Sequence, residues 1–198
     1  MIRSAREQIR FLFDPACPWA YRASLWLREV AELLPLEIEW EIFSLEAINR
    51  TQKDEAYLQP LRAQQTALRL LELTIKREGQ SAVDALYLEL GKARHERSES
   101  LADEAVLLRA LSVCGLPIAL LAEARENADL DAAIATHAAD AVAQGAFGVP
   151  TLHLAGAERW FYGPLLARVP EGYRAVRVWE HVRGLMLTPE FYELKSSR

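Results

Sequence analysis

The sequence predicts an α/β domain opened by a long helical insertion. Three observations predict it. The first 44 residues read as strand, helix, strand. The stretch from about Asp54 to Asn127 carries helical periodicity with almost no strand signal, and the last third returns to mixed helix and strand.

Gln8 to Phe13 is a short run rich in large apolar residues, which Asp14 and Pro15 stop. Pro18 suits the first turn of a helix, where its missing N–H costs nothing. Trp19, Ala23, Trp26, Leu27, Val30, Leu33 and Leu34 follow at three- and four-residue steps, and Pro35 ends that helix. From Leu36 to Ser44, Leu36, Ile38, Trp40 and Ile42 alternate with Glu37, Glu39 and Glu41, the pattern of a half-buried strand.

The middle predicts four helices, over Tyr57–Glu78, Ala82–Arg94, Ala102–Cys114 and Ile118–Asn127. Gly79, the polar run His95–Ser100 and Gly115-Leu116-Pro117 separate them. Ser100 and Asp103 fit a capping-box-like start for the third. Beyond them come a helix over Leu130–Gln144, a loop over Gly145–Pro150, and a strand over Thr151–Leu154. A turn at Ala155–Glu158, a strand over Arg159–Tyr162 and a last helix over Val176–Met186 complete the chain.

With 198 residues, 51% of them hydrophobic, the chain has material for a sizeable core. A net charge of −5 argues against a nucleic-acid partner. Two cysteines, Cys17 and Cys114, exclude a disulfide-stapled scaffold and an all-cysteine zinc site. The four histidines share no ligand spacing with acidic residues, so no metal is expected. The first eight residues are charged and polar, so no signal peptide is expected, nor a membrane segment. The expected address is the cytoplasm, where thiols stay reduced.

Cys17 stands just before a helix that begins at Pro18. Free N–H groups and the positive end of the helix dipole favour a thiolate there, lowering the thiol pKa, while nearby Asp14 works against it. The competing reading is a small buried hydrophobe. Val149-Pro150 precedes a strand and is a candidate cis bond, an ordinary trans proline being the commoner alternative.

Together these features resemble the thioredoxin superfamily, in which a cysteine motif opens the first helix and a proline segment before a later strand packs against it. Cys17-Pro18-Trp19-Ala20 occupies the place of that motif, and the element order resembles the DsbA-like branch. More closely, Phe13-Asp14-Pro15-Ala16-Cys17-Pro18-Trp19-Ala20 is similar to the mycothiol-dependent nitroreductase family. So are Phe43-Ser44-Leu45, Gly148-Val149-Pro150-Thr151, Phe161-Tyr162-Gly163-Pro164 and Phe191-Tyr192-Glu193-Leu194-Lys195. The resemblance implies a thioredoxin-fold domain over 1–53 and 128–198 and a helical insertion domain over 54–127. It also implies a cytoplasmic oxidoreductase with a low-molecular-weight thiol, such as mycothiol, as co-substrate.

The chain departs from the dithiol pattern at Ala20, where a resolving cysteine would stand. Cys114 lies among Leu107, Leu108, Leu111 and Val113 and reads as core. A mixed disulfide on Cys17 would then need an external thiol to resolve it. The alternatives are a kappa-class-like thiol transferase or isomerase, in which the group at the helix start only stabilises a bound thiolate, and a redox-inactive binding protein. Cys17 is the candidate catalytic residue. Pro18, Trp19, Ala20, Val149, Pro150 and His95 are candidates for binding the thiol or substrate. Tyr21, Trp160, Phe161 and Tyr162 are candidates for an aromatic wall, with ordinary packing the alternative for each. For Trp19 the alternative is core packing, and for His95 a solvated surface position. His137 and His181 read as surface residues and His153 as serving the sheet. The expected partners are a small thiol and a small electrophile or mixed disulfide. A homodimer through an apolar face of the insertion stands beside burial of that face under the sheet.

Overall fold

The computed structural model describes residues 6–196. The polar start read against a leader falls largely on residues 1–5, outside the described residues. Strand β1 (Glu7–Phe13) leads into α1 (Pro18–Leu33) and then β2 (Leu36–Ile42). β2 lies parallel to β1, with Phe11 opposite Trp40. After a helical stretch, β3 (Thr151–Leu154) returns antiparallel on the other side of β1, and β4 (Phe161–Tyr162) pairs with β3. The sheet order is β2-β1-β3-β4, so β1 and the turn that follows it sit at the centre.

The intervening helices are α2 (Leu45–Asn49), α3 (Glu55–Ala63), α4 (Gln65–Glu78) and α5 (Gln80–Gly91). A π-helical turn over Lys92–Glu96 continues α5. Then come α6 (Glu104–Val113), α7 (Ala119–Glu126) and α8 (Asp129–Ala143), and α9 (Tyr173–Met186) follows the last strand. The core is aromatic where sheet meets helix. Tyr87 of α5 stacks on Phe13 at 3.9 Å between ring centres and meets Trp40 edge-on at 5.6 Å. Such pairs add about 0.5–1.5 kcal/mol each beyond the area they bury. Trp26 of α1 donates from Nε1 to the Ala175 carbonyl at 3.0 Å, which fastens α9 to α1.

The single helix expected over Tyr57–Glu78 is two. The side-chain Nε2 of Gln64 donates to the Pro60 carbonyl, while the Gln64 main-chain N–H turns to Leu61. A side-chain donor thus replaces the backbone one and the helix breaks at Gln64. The third insertion helix is capped by Asp103, whose carboxylate accepts from Ala105 N, and Ser100 caps only the turn before it. The expected strand Arg159–Tyr162 is reduced to its last two residues. Helix α2 appears where no element was expected, with Ser44 as its N-cap. Val149–Pro150 is cis, and so is Gly163–Pro164, which the sequence did not flag. Among the described residues no helix is long and apolar enough to cross a membrane.

Candidate active site

The turn between β1 and α1 is built by Asp14. Its main-chain carbonyl accepts from Cys17 N at 2.9 Å, and its Oδ1 accepts from Ala16 N at 2.8 Å. These bonds set Cys17 in extended conformation as the N-cap of α1. The Cys17 sulfur accepts from Ala20 N at 3.4 Å, as an N-cap side chain should. On its other side the thiol donates to the Val149 carbonyl, also at 3.4 Å.

Cys17 is only 7% exposed. That burial pushes its pKa up, and the N–H groups of Ala20 and Trp19 pull it down by less. The Asp14 charge adds to the rise. The lowered thiol pKa expected from the helix start is therefore corrected. The helix contribution is present, but desolvation outweighs it.

Asp14 is itself buried, and desolvation raises its pKa to about 6 against the two N–H bonds from Leu45 and Ala16. His95, on the π-helical turn, brings Nε2 within 2.9 Å of the Pro15 carbonyl, so Nε2 carries the proton. Its ring stacks on Tyr21 at 5.1 Å, and burial lowers its pKa. The Tyr21 hydroxyl donates to Glu96 at 2.6 Å. Gly91 makes this packing possible, because a Cβ there would drive into the edge of the Tyr21 ring.

Of the residues singled out from sequence, Cys17, Ala20 and Val149 meet directly. Pro150 adjoins them, and His95 is tied to the same turn rather than free in solvent. Pro18 is exposed and Trp19 half-buried beside it, with the Arg22 guanidinium 5.2 Å over its ring. Tyr21 is on the buried side of α1. Tyr162 packs against Gly148 and meets the exposed Phe147 ring at a tilt, 5.0 Å between centres. Trp160 instead meets His153 at a tilt, and Phe161 stacks on Phe191 of the tail, so the expected wall is not one surface. Cys114 is half-buried at the end of α6, packed against the core, and both thiols are free. His137 and His181 are exposed, while His153 lies in β3. Asp14 was read from sequence as a strand stop, as part of the family-like motif and as a charge unfavourable to the thiolate. The signal for more was its place between an apolar strand and a proline. Among the described residues no group of three His, Cys, Asp or Glu is placed to hold a metal ion.

Two clefts border α2. One, about 470 Å³, is lined by Glu46, Arg50, Arg62, Gln65 and Asp131, and its charged groups are largely paired with one another. The other, about 400 Å³, runs between α2 and α8 and ends at Ala146 and Phe147. The second ends on the loop that also carries Val149.

The family model described as mycothiol-dependent nitroreductase Rv2466c, Rv2466c-like, matches residues 16–196. The chain belongs to the Rv2466c-like family. A second relative by sequence is the uncharacterized protein Rv2286c of Mycobacterium tuberculosis, 32% identical over 187 residues, which are 94% of this chain and 80% of that protein. Among solved structures, cytosolic disulfide reductase DsbM from Pseudomonas aeruginosa, solved with GSH, is 18% identical at a TM-score of 0.61. The match covers 89% of this chain and 99% of that one. A probable DsbA oxidoreductase, SCO1869 from Streptomyces coelicolor, is 16% identical at 0.62, over 96% and 94%. The fold of this Rv2466c-like protein is thus the DsbA-like thioredoxin fold, as the motifs implied.

Proposed function

We propose that this protein is a thiol-dependent oxidoreductase in which Cys17 is the nucleophile of a monothiol cycle. The reductant is a low-molecular-weight thiol, mycothiol being the one the family's name specifies. The observation that carries the reading is the setting of the Cys17 sulfur: at the start of α1, between the Ala20 N–H and the Val149 carbonyl, with a methyl group where a second thiol would stand.

In the proposed cycle the Cys17 thiolate attacks the sulfur of a mixed disulfide. A Cys17–S–S bond forms, the substrate S–S bond breaks, and the leaving thiolate takes up a proton. A second small thiol, as thiolate, then attacks that new bond. It becomes part of a small-molecule disulfide, and Cys17 is released reduced. Per turn one small thiol enters, one thiol leaves, and the substrate disulfide is exchanged for a small-molecule disulfide. A nitro-type electrophile is the other acceptor the family's name suggests. The backbone of Val149 would pair with an extended thiol ligand, Pro18 and Trp19 would form the rim, and Pro150 would face the sulfur. The thioredoxin-fold domain, 1–53 and 128–198, would carry the nucleophile, and the insertion over 54–127 would supply His95. A cytoplasmic address suits this chemistry because thiols stay reduced there.

Burial of Cys17 favours a second reading. A thiol held protonated could donate to a co-substrate thiolate without attacking, as in a kappa-class-like transferase. Intact-mass measurement after exposure to oxidised mycothiol separates the two. The oxidoreductase reading expects an adduct on Cys17 that mycothiol removes. Conjugation of an electrophile without any adduct would replace it with the transferase, and activity retained in Cys17→Ala would sink both.

A further inference from the structure

The carboxylate of Asp14 reaches two places at once. Its Oδ1 accepts from Ala16 N in the turn before Cys17, and its Oδ2 accepts from Leu45 N, the first residue of α2, at 2.8 Å. The side chain is 2% exposed, so both bonds lie in a medium where an unpaired acceptor is costly. One carboxylate therefore fixes the turn that presents the sulfur and the first turn of α2. The two segments are 31 residues apart in sequence, and nothing covalent sets their spacing.

We propose that Asp14 is a positioning residue for this chemistry: it holds the starts of α1 and α2 in one piece, and its charge tunes the Cys17 sulfur. The proposal rests on Cys17 as the reacting group. The ionisable groups around Asp14 come from several elements. Cys17 caps α1, Tyr57 lies on α3 and Tyr87 on α5, and each feels the Asp14 charge. Burial raises both tyrosines, so they stay neutral across the working range. His95 bonds Pro15 beside Asp14 and is pushed toward its neutral form. Glu46 of α2 is neutralised by Arg50 and Arg62. Asp14 thus changes charge near neutrality, and Cys17 only at higher pH. With Asp14 titrating at about 6, the sulfur meets a neutral carboxyl in acid and a carboxylate above it. The carboxylate holds the two N–H groups more firmly than the neutral acid does.

The test is the pH profile of Cys17 alkylation by iodoacetamide in a Cys114→Ser background, read beside kcat/KM for a small mixed disulfide. The parent profile should show a shallow step near pH 6 below the main thiol inflection. In Asp14→Asn the step should vanish and the main inflection should move to lower pH, as the like charge is removed. Its kcat/KM should drop roughly tenfold to a hundredfold, because one of the two tethers is lost. Asp14→Glu should keep the main inflection near the parent value while kcat/KM stays low. A parent profile without the step overturns the proposal. So does a step that survives Asp14→Asn and disappears in His95→Gln, or a main inflection unmoved in Asp14→Asn. If Asp14→Asn does not fold, the parent profile and Asp14→Glu decide. Alkylation needs no turnover, so a missing Cys17 adduct with oxidised mycothiol would sink the monothiol cycle and leave these profiles to be judged alone.

Discussion

The main-chain carbonyl of Val149 lies 3.4 Å from the Cys17 sulfur, across 132 residues of sequence. The contact needs the centre of the sheet to be in register. Cys17 follows β1, Val149 precedes β3, and those strands pair with Leu12 opposite Thr151. A thiol in this position donates to the carbonyl; a thiolate faces it with like partial charge and is disfavoured.

The first expected consequence is a weakly acidic Cys17 in the free protein. Burial raises its pKa above the unfolded value of about 8.5. The stabilisation this group contributes is fully present below the unfolded pKa and is lost as pH rises through the folded one. Thiolate absorbance, with Cys17→Ser as blank, should rise only above about pH 8.5. A midpoint below that would contradict the burial argument.

Gly91→Ala should destabilise the protein by about 1–3 kcal/mol, the cost of overpacking a filled site. The added methyl meets the Tyr21 ring. That ring is held by its stack on His95 and by its hydroxyl bond to Glu96, so it has little room to turn. Urea unfolding checks this, and an unchanged midpoint would mean that Tyr21 is free to move.

Ala20→Cys should restore a resolving thiol. Ala20 is fully buried and its N–H already touches the Cys17 sulfur. The oxidised variant should be lighter than its reduced form by two hydrogens in intact-mass spectra. Failure to form this bond under oxidised small thiol would show that position 20 does not point at the sulfur.

The sequence made the frame of this protein legible through periodicity. Leu36, Ile38, Trp40 and Ile42 could only be one face of a strand, and Pro18 and Pro35 bracketed α1. Helix α2 escaped because five residues are too few to show a period, and its cap, Ser44, follows directly on the strand signal. The break at Gln64 escaped because a side-chain amide makes it, and propensity cannot reveal that bond. At the site, Cys17 and Pro150 were marked by their local contexts. Asp14 was not, since an aspartate before a proline ordinarily reads as a solvated turn. Its carboxylate is held by Leu45 and its charge reaches Tyr57 of α3 and Tyr87 of α5, which only the folded chain brings near.

The same convergence makes the sulfur a product of folding. Its surroundings are drawn from the β1–α1 turn, the π-helical turn and the segment before β3. Before these meet, Cys17 is an ordinary solvent-facing thiol, open to progressive oxidation. Afterwards it is 7% exposed and mostly protonated. Folding thus works as protective storage. The nascent or heat-loosened chain is the form at risk of sulfinic damage, and damage at Cys17 would record how long a molecule had spent unfolded.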